Sequence, residues 1–401
     1  MSHLPLVRIT GPLAPYRDDL WAYLLGQGYA LFSARNLVRV AAHLSRWLQD
    51  AHLSPSDLTQ SRMEAFLQAR RTPGARNWLT AKGLEPILAP LRALRVIPPM
   101  EPVPVDLSLP GQLIRGFETY LLQERGIQPI TATSYVRLVR PFVDRLGLSD
   151  LSELRELSAE RVSGFILREA HSSGIGYLKL KVTALRAFLR FLHVQGFSSD
   201  LSAAVPAVAG RRSSGLPRGI PEEQVRRIEA SCDRATATGR RDYAILLLLS
   251  RLGLRACEVA ALELGDVRWA QGEIAVGGKG SEAILPLPEE VGEALVAYLK
   301  AGRPTSTSGK MFLQVRAPHR EMTAGAVKAV VRSAARRVGL PSTGSHRLRH
   351  TAATSMLSRG VSLPDIAQVL RHQSLVTTAI YAKVDFQALR PLARSWPGGL
   401  A

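Results

Sequence analysis

The sequence predicts a mainly α-helical protein of three modules, with one small β-hairpin in the last of them. Apolar residues recur at helical spacing along most of the 401 residues, which is the pattern of amphipathic helices. Two segments rich in proline, glycine or serine, 97–110 and 203–221, interrupt this pattern and are expected to be linkers. They separate modules of residues 1–97, 110–203 and 220–401. A chain of this length is expected to form two or three domains.

The first two modules are predicted to be helical bundles, and their sequences resemble each other. The matching segments are Tyr23–Leu25 with Tyr120–Leu122, Ser33-Ala34 with Thr131-Ala132, Phe66-Leu67 with Phe165-Ile166, and Leu91–Ala93 with Leu185–Ala187. Their common order favours an internal duplication, although helices rich in Leu, Ala and Arg also resemble one another by chance. Ser33 and Thr131 precede apolar runs and are predicted to cap the helices that follow.

The third module is predicted to mix helices with the β-hairpin. Acidic residues follow Pro221, which is typical of a helix start. The apolar run within 241–252 indicates a buried helix. Two strands, 273–276 and 283–287, are joined by the glycine-rich turn Gly277–Ser281. Further helices are expected around 289–301, 323–338, 346–358, 363–371 and 374–382.

The charge of the chain narrows the class of partner. Lys and Arg number 52 against 33 Asp and Glu, so the net charge is +19. Such an excess suggests a polyanionic partner, which DNA, RNA and an anionic membrane would all satisfy. Residues 216–401 carry 26 basic and 16 acidic side chains, a net charge of +10. The main phosphate contacts are therefore expected in the third module.

Nothing in the sequence indicates secretion or membrane insertion. Two cysteines, Cys232 and Cys257, are too few for a disulfide scaffold. The N-terminus lacks the basic and apolar stretches of a signal peptide. The longest aliphatic run, 244–249, is too short to span a bilayer. These features predict a cytoplasmic protein with no membrane partner.

Two groups of basic residues outside the third module are candidates for contact with a nucleic acid. Lys179, Lys181 and Arg186 follow an apolar repeat in the second module, where they would face a nucleic acid. Arg211 and Arg212 lie in the second linker. A basic stripe on a helix is also the usual appearance of a solvated face, so both interpretations stay open.

The third module contains the side chains needed to break a phosphodiester without a metal ion. Such a reaction needs an in-line nucleophile, fixed cations for the extra negative charge and a proton for the leaving oxygen. Arginine suits the second task because its planar fork grips two oxygens and keeps its charge. Lysine suits the third, and a tyrosine nucleophile would store the broken bond as an ester. The candidates in chain order are Arg255, Lys279, His346, Arg349, His350, His372 and Tyr381.

Each candidate taken singly has an ordinary structural explanation, but together they stand in four short boxes. The boxes read Gly253-Leu254-Arg255-Ala256-Cys257-Glu258, Gly278-Lys279-Gly280, His346-Arg347-Leu348-Arg349-His350 and Leu370-Arg371-His372, with Tyr381 nine residues after His372. In order and spacing this set resembles the tyrosine recombinase family, also called lambda-type integrases. The resemblance covers about residues 110–395 and is most specific over 240–385. The N-terminal hundred residues lie outside the family's usual two-domain pattern.

The resemblance implies an enzyme that cuts and rejoins DNA. Its fold would be a helical core-binding domain, 110–203, followed by a mixed α+β catalytic domain, 220–401. Arg255 and Arg349 would hold the scissile phosphate, and Tyr381 would form a 3′-phosphotyrosyl link with the cut strand.

The resemblance also implies roles for the remaining candidates. Lys279 would protonate the leaving 5′ oxygen, His346 would assist proton transfer, and His372 would donate a hydrogen bond to the phosphate. Glu258 and His350 would be supporting residues.

Two features depart from the family pattern. Arg371 precedes His372 where glycine is common, and the strand Glu282–Leu287 lacks the basic residue often found there. His346 and His350 have the spacing of zinc ligands, but no Glu follows His346 and arginines flank the pair. We therefore expect no metal site and no cofactor.

These implications predict a site-specific recombinase or integrase of the kind that mobile elements carry. Two alternatives remain: a DNA-relaxing topoisomerase of the same chemistry, and a non-catalytic DNA-binding accessory protein. Relaxation of supercoiled DNA without a specific site would separate the first two. The expected partners are double-stranded DNA, other copies of the chain in a DNA-bound tetramer, and other recombinase subunits.

Two further segments are expected to contribute to assembly on DNA. The apolar stripe of Phe386, Leu389 and Leu392 would dock either on its own domain or on a neighbouring subunit, and the second interpretation, a link between subunits of the tetramer, is favoured. The N-terminal module, 1–97, would bind DNA or a partner and take no part in the chemistry.

Overall fold

The structure is a computed structural model of the full chain. It describes residues 7–70, 80–99, 106–209, 219–278, 281–341, 343–371 and 375–382. The chain divides into two compact units: the first consists of Met1–Met100 together with Gly215–Ala401, and the second consists of Glu101–Ser214. The predicted fold class is confirmed, because helices dominate and the strands form one small antiparallel sheet.

The N-terminal residues of the first unit form a helical bundle. Its helices are α1 (Arg17–Gly26), α2 (Leu31–Asp50), α3 (Gln60–Ala69) and α4 (Ala81–Ala93). Their apolar faces form a core of their own, in which Trp47 packs edge-on against Phe66 with ring centroids 5.8 Å apart. The bundle also meets the C-terminal part of the same unit, because a Cβ on Gly28 would lie 2.3 Å from His319 Nε2.

The second unit is a separate helical bundle. Its helices are α5 (Leu109–Thr119), α6 (Pro129–Leu146), α7 (Ala159–Ser172) and α8 (Ile175–Val194), and a π-helical turn, Tyr120–Glu124, extends α5. Aromatic rings fill its core: Phe117 and Phe188 lie 5.2 Å apart, and Phe142 and Phe165 lie 5.1 Å apart, all between centroids. Such edge-to-face pairs stabilise a core beyond the burial of their area.

The two bundles place the matching sequence segments on corresponding helices. Tyr23–Leu25 ends α1 and Tyr120–Leu122 continues α5, and the other three pairs fall on α2 and α6, α3 and α7, and α4 and α8. This correspondence supports the hypothesis of a duplication. The predicted caps, in contrast, are wrong by the same margin in both bundles. The helices begin at Leu31 and Pro129, so that Ser33 and Thr131 lie inside the first turn.

The C-terminal part of the first unit combines helices with the three-stranded sheet. Its elements are α9 (Glu222–Ala230), α10 (Ala237–Ser250), α11 (Ala256–Ala261), β1 (Val267–Arg268), β2 (Glu273–Gly278), β3 (Ser281–Pro286), α12 (Glu289–Ala301), α13 (Ala324–Arg337), α14 (Ser345–Ser358), α15 (Leu363–Val369) and α16 (Leu375–Ala382). The predicted hairpin is β2 and β3, which pair in antiparallel register from Glu273 with Pro286 to Gly278 with Ser281. The short strand β1 adds an edge that the sequence did not predict.

The core of this part is built around α10. Every residue from Ala244 to Leu249 is fully buried, as the aliphatic run predicted. A smaller apolar cluster of Ala353, Ile366, Leu370 and Tyr381 joins α14, α15 and α16. Because these helices also carry the sequence boxes, the cluster fixes the position of the candidate site. Within the described parts of the chain, no helix has the length and apolar character needed to cross a membrane.

Candidate active site

Helix α14 carries three of the predicted side chains on one face. His346, Arg349 and His350 stand at positions i, i+3 and i+4, which lie above one another on a helix. The helix is anchored at Thr351, whose hydroxyl donates to Ile220 O at 3.1 Å and accepts from Ile220 N at 2.7 Å. These two hydrogen bonds connect the start of the C-terminal part to α14.

Tyr381 lies beside this face, on α16. Its side chain is 1% exposed, and its hydroxyl is 2.8 Å from His350 Nδ1. The two rings are tilted by 59° with centroids 5.6 Å apart. The phenol oxygen is therefore in direct hydrogen-bond contact with an imidazole that lies 31 positions earlier in the chain.

The directions of the two pKa shifts define the protonation states of this pair. Burial raises the pKa of Tyr381 above its usual value of 10, against the opposing effect of the Arg349 charge. Burial, with the neighbouring His346 and Arg349, lowers the pKa of His350 below 6.5. At neutral pH the phenol therefore keeps its proton, and the imidazole is neutral and able to accept one.

Arg349 is the most deeply buried cation of the candidate set in the described residues. It is 6% exposed, and Nη1 donates to Gly253 O at 2.5 Å while Nη2 donates to Leu370 O. Burial lowers its pKa to about 10, so the guanidinium stays charged at neutral pH. Glycine is required at position 253, because the φ there is +60° and a Cβ would lie 2.6 Å from Leu370 Cδ2.

Arg255 is the second cation of the site and caps the start of α11. Its backbone N–H and its Nη1 each donate to Glu258, at 2.7 Å in both cases. Burial alone would raise the pKa of Glu258, but hydrogen bonds from Arg255 and Arg371 and the Arg371 charge hold it below 4.5. The buried carboxylate therefore stays ionised and fixes the Arg255 guanidinium.

His346 lies in the first turn of α14, on the same face as Arg349 and His350. Its pKa is lowered below 6.5 by burial and by the charges of Lys328 and Arg349. Among the described residues, no group of three or more His, Cys, Asp or Glu side chains is arranged to hold a metal ion.

The structure thus brings together Arg255, Glu258, His346, Arg349, His350 and Tyr381, from α11, α14 and α16. The predicted Lys279 and His372 lie outside the described residues, as do Arg211 and Arg212 and the apolar stripe after residue 383. The phenol contacts His350, for which the resemblance implied only a supporting role.

The predicted basic stripe of the second module is not uniformly exposed. Lys181 is 8% exposed. Its ammonium forms an ion pair with Glu169 and lies 4.9 Å from the Tyr177 ring centroid. A lysine engaged in this way is a structural residue, so its assignment to a nucleic-acid surface is wrong. Arg186 is half-buried and donates to Val205 O at 2.8 Å, and Lys179 is also half-buried.

Comparison with known proteins identifies the family. The model of the phage integrase family matches residues 218–388, and that of the phage integrase N-terminal SAM-like domain matches residues 114–196. The "Putative integrase/recombinase y4rA" of Sinorhizobium fredii is 39% identical, over 97% of this chain and 95% of its own length. The tyrosine recombinase XerA of Thermococcus kodakarensis is 32% identical over 71% of this chain and 95% of its own.

The chain belongs to the phage integrase family of tyrosine recombinases. It is a site-specific recombinase, an enzyme that exchanges DNA strands. The predicted topoisomerase and accessory-protein alternatives are thereby set aside.

Solved structures show the same fold for the recombinase. A lambda integrase dimer bound to a COC′ core site superposes with a TM-score of 0.53 at 18% identity, over 72% of this chain and 98% of that one. The XerH recombinase in a post-cleavage complex gives 0.57 at 18% identity, over 70% and 83%. The relative from Sinorhizobium fredii aligns over 97% of the recombinase, so it shares most of the N-terminal bundle as well.

Proposed function

We propose that the recombinase opens a DNA strand by attack of the Tyr381 phenol on a phosphodiester and reseals it after strand exchange. The supporting observation is the position of the phenol oxygen, which lies 2.8 Å from His350 Nδ1. The charge of Arg349 also acts on this phenol and lowers its pKa against the effect of burial. The Oη–P bond would form as the P–O5′ bond breaks, which yields a 3′-phosphotyrosyl ester and a free 5′ hydroxyl. The ester preserves the bond energy, so rejoining needs no ATP.

The described residues supply a base and two cations for this step. His350 Nδ1 would accept the phenol proton, and Arg255 and Arg349 would bind the non-bridging oxygens. The two carbonyl bonds of Arg349 engage two of its five N–H groups, so others remain for a phosphate. Because Tyr381 is 1% exposed, the segment that carries it must shift before its oxygen reaches DNA.

The family resemblance supplies the remaining roles and the domain assignment. Lys279 would donate the proton to the leaving 5′ oxygen, His346 would assist proton transfer, and His372 would bond the phosphate. Residues 110–203 would be the core-binding domain and 220–401 the catalytic domain. The site of action would be the cytoplasm, where the free thiols of Cys232 and Cys257 are stable.

We expect cleavage to proceed in excess EDTA, because arginine side chains carry the charge stabilisation. The substrate is a nicked duplex from the DNA that flanks the protein's own coding sequence, in which the short cut fragment diffuses away. The measurement is the yield of a protein–DNA adduct that survives SDS. Adduct formation that disappears with EDTA and returns with magnesium or zinc would contradict this assignment.

We expect the cleavage rate to have an acid limb below pH 6.5. As pH falls through the lowered pKa of His350, the imidazole becomes protonated and can no longer accept the phenol proton. Each pH unit below that pKa should lower the single-turnover rate about tenfold. His350→Asn serves as the control, because it should cleave more slowly at pH 7 and lose the acid limb. An unchanged limb in this variant would assign the titration to another group.

The N-terminal bundle offers a separate surface for DNA. Arg39 and Arg46 are exposed on α2, and within the described residues neither lies within 4 Å of a carboxylate. Arg39 donates to the Asn36 side chain and Arg46 contacts the His43 ring, and both of these partners are neutral. We propose that these side chains contact phosphates outside the cleavage site.

The charge-neutral variant R39Q/R46Q tests this surface. It should lower the slope of log affinity against log salt by about 2, since each phosphate contact contributes about 0.9. Cleavage of a short substrate should be spared. The matched control is R17Q/R62Q in the same bundle, where both arginines pair with aspartates. Equal slopes for the two variants would contradict a DNA-binding role for α2.

We also propose that recombination takes place in a DNA-bound tetramer. Exchange of strands between two duplexes requires four cuts, and one subunit contains one Tyr381. The lambda integrase structure named above is a dimer on DNA, which is half of such an assembly.

A further inference from the structure

Arg371 occupies the place where the family commonly has glycine, and its backbone shows why glycine is favoured there. Its φ is +53°, in the left-handed region that side chains with a Cβ rarely adopt. A strained residue of this kind persists only where its surroundings hold it. The contacts of the Arg371 side chain therefore indicate what holds the backbone in this conformation.

The Arg371 side chain is turned inward and engaged by the protein. It is 13% exposed, its Nη2 donates to Glu258 Oε2 at 2.6 Å, and its Nη1 donates to Val369 O at 3.0 Å. Because the guanidinium faces the buried carboxylate of Glu258, it is not arranged as a third phosphate ligand.

Arg371 and Arg255 share one buried carboxylate. Glu258 accepts from Arg255 through Oε1 and from Arg371 through Oε2. The backbone adds a second link, because Arg255 Nη2 donates to Arg371 O at 3.1 Å. The preceding carbonyl, Leu370 O, accepts from Arg349. One dipeptide, 370–371, therefore contacts both cations assigned to the scissile phosphate.

We infer that Arg371 is a positioning residue that holds the Arg255 guanidinium in the direction of the phosphate, through Glu258 and through its own carbonyl. The inference rests on the proposed role of Arg255 as a phosphate ligand. A planar guanidinium bridging a carboxylate and a carbonyl restricts rotation of the Glu258 side chain, which in turn restricts Arg255. Glycine at this position would keep the backbone carbonyl but lose the bridge.

Arg371→Gly tests the inference, because glycine fits the backbone without strain. The single-turnover cleavage rate on the nicked duplex should fall by about 10- to 100-fold, while affinity for the same DNA changes by less than about twofold. Arg371→Lys should recover part of the rate, since an ammonium restores one of the two bonds to Glu258 and Val369. A loss of rate without loss of affinity is not expected of a residue that only stabilises the fold.

Two controls complete the experiment. Arg251→Gln removes an arginine from another buried carboxylate, Glu229 on α9, and should lower the melting temperature while leaving the cleavage rate unchanged. Glu258→Gln combined with Arg371→Gly should be no slower than the slower single variant, because both act on Arg255.

The outcomes separate this inference from the proposed function. If the unsubstituted protein forms no adduct, the proposed function fails. If it forms the adduct and Arg371→Gly cleaves at the same rate, or loses DNA affinity in proportion to rate, the positioning role is overturned. If Arg371→Gly does not fold, Arg371→Lys is compared with Arg371→Gln, which removes the charge; equal cleavage rates of these two variants would also overturn the positioning role.

Discussion

Tyr381→Phe is expected to abolish covalent attachment to DNA while leaving DNA binding nearly unchanged. The substitution removes only the hydroxyl that contacts His350, and the ring keeps its place in the cluster with Ala353, Ile366 and Leu370. Loss of a nucleophile lowers an enzymatic rate by about 10⁶-fold, which is below detection in an adduct assay. The measurement is the yield of SDS-resistant adduct on the nicked duplex.

Tyr298→Phe is the matched control for this prediction. Tyr298 is also fully buried in the C-terminal part of the chain, and its hydroxyl accepts from Leu313 N at 3.2 Å. Loss of this hydroxyl should lower the free energy of unfolding by about 1 kcal/mol and leave the cleavage rate unchanged. Adduct of normal yield from Tyr381→Phe would remove Tyr381 as the nucleophile.

Arg349→Lys should lower the cleavage rate by about 10²- to 10³-fold, which is the usual effect of removing one preorganised hydrogen-bond donor from an active site. Lysine keeps the charge but cannot reach Gly253 O and Leu370 O together and still present N–H groups to a phosphate. The folded state should also be less stable, by about 1–3 kcal/mol for a carbonyl left without a donor. Single-turnover kinetics and thermal unfolding measure the two effects.

Arg347→Lys provides the comparison on the same helix. Arg347 lies two positions from Arg349, and its Nη2 donates to Gly219 O at 3.2 Å. It should leave the cleavage rate within about threefold of the unsubstituted protein. Equal rates for the two lysine variants would contradict the assignment of Arg349 to the phosphate.

The sequence was sufficient for the fold class, the hairpin and the helices that carry the boxes. Each depends on a local pattern: the aliphatic run of α10, the glycines between β2 and β3, and the i, i+3, i+4 spacing of α14. Strand β1 has two residues, which is too short for any period to appear. The start of α2 and α6 was misjudged because Ser33 and Thr131 have capping propensity, while Pro129 at the first turn is equally suited to begin a helix.

Features that depend on tertiary contacts could not be predicted from the sequence. Lys181 has the spacing of an exposed basic residue, but Glu169, twelve positions earlier, neutralises it inside the bundle. The contact of His350 with Tyr381 and the bridge from Arg371 to Glu258 join residues 31 and 113 positions apart. The one available signal for the bridge was an arginine where the family favours glycine.

The most direct test of the account is identification of the residue that carries the DNA. The trapped adduct is digested with protease and nuclease, and the nucleotide-linked peptide is sequenced by mass spectrometry. The account predicts a single linked peptide that contains Tyr381, with the phosphate on its phenol oxygen. Linkage to any other tyrosine, to a serine or to a histidine would contradict it.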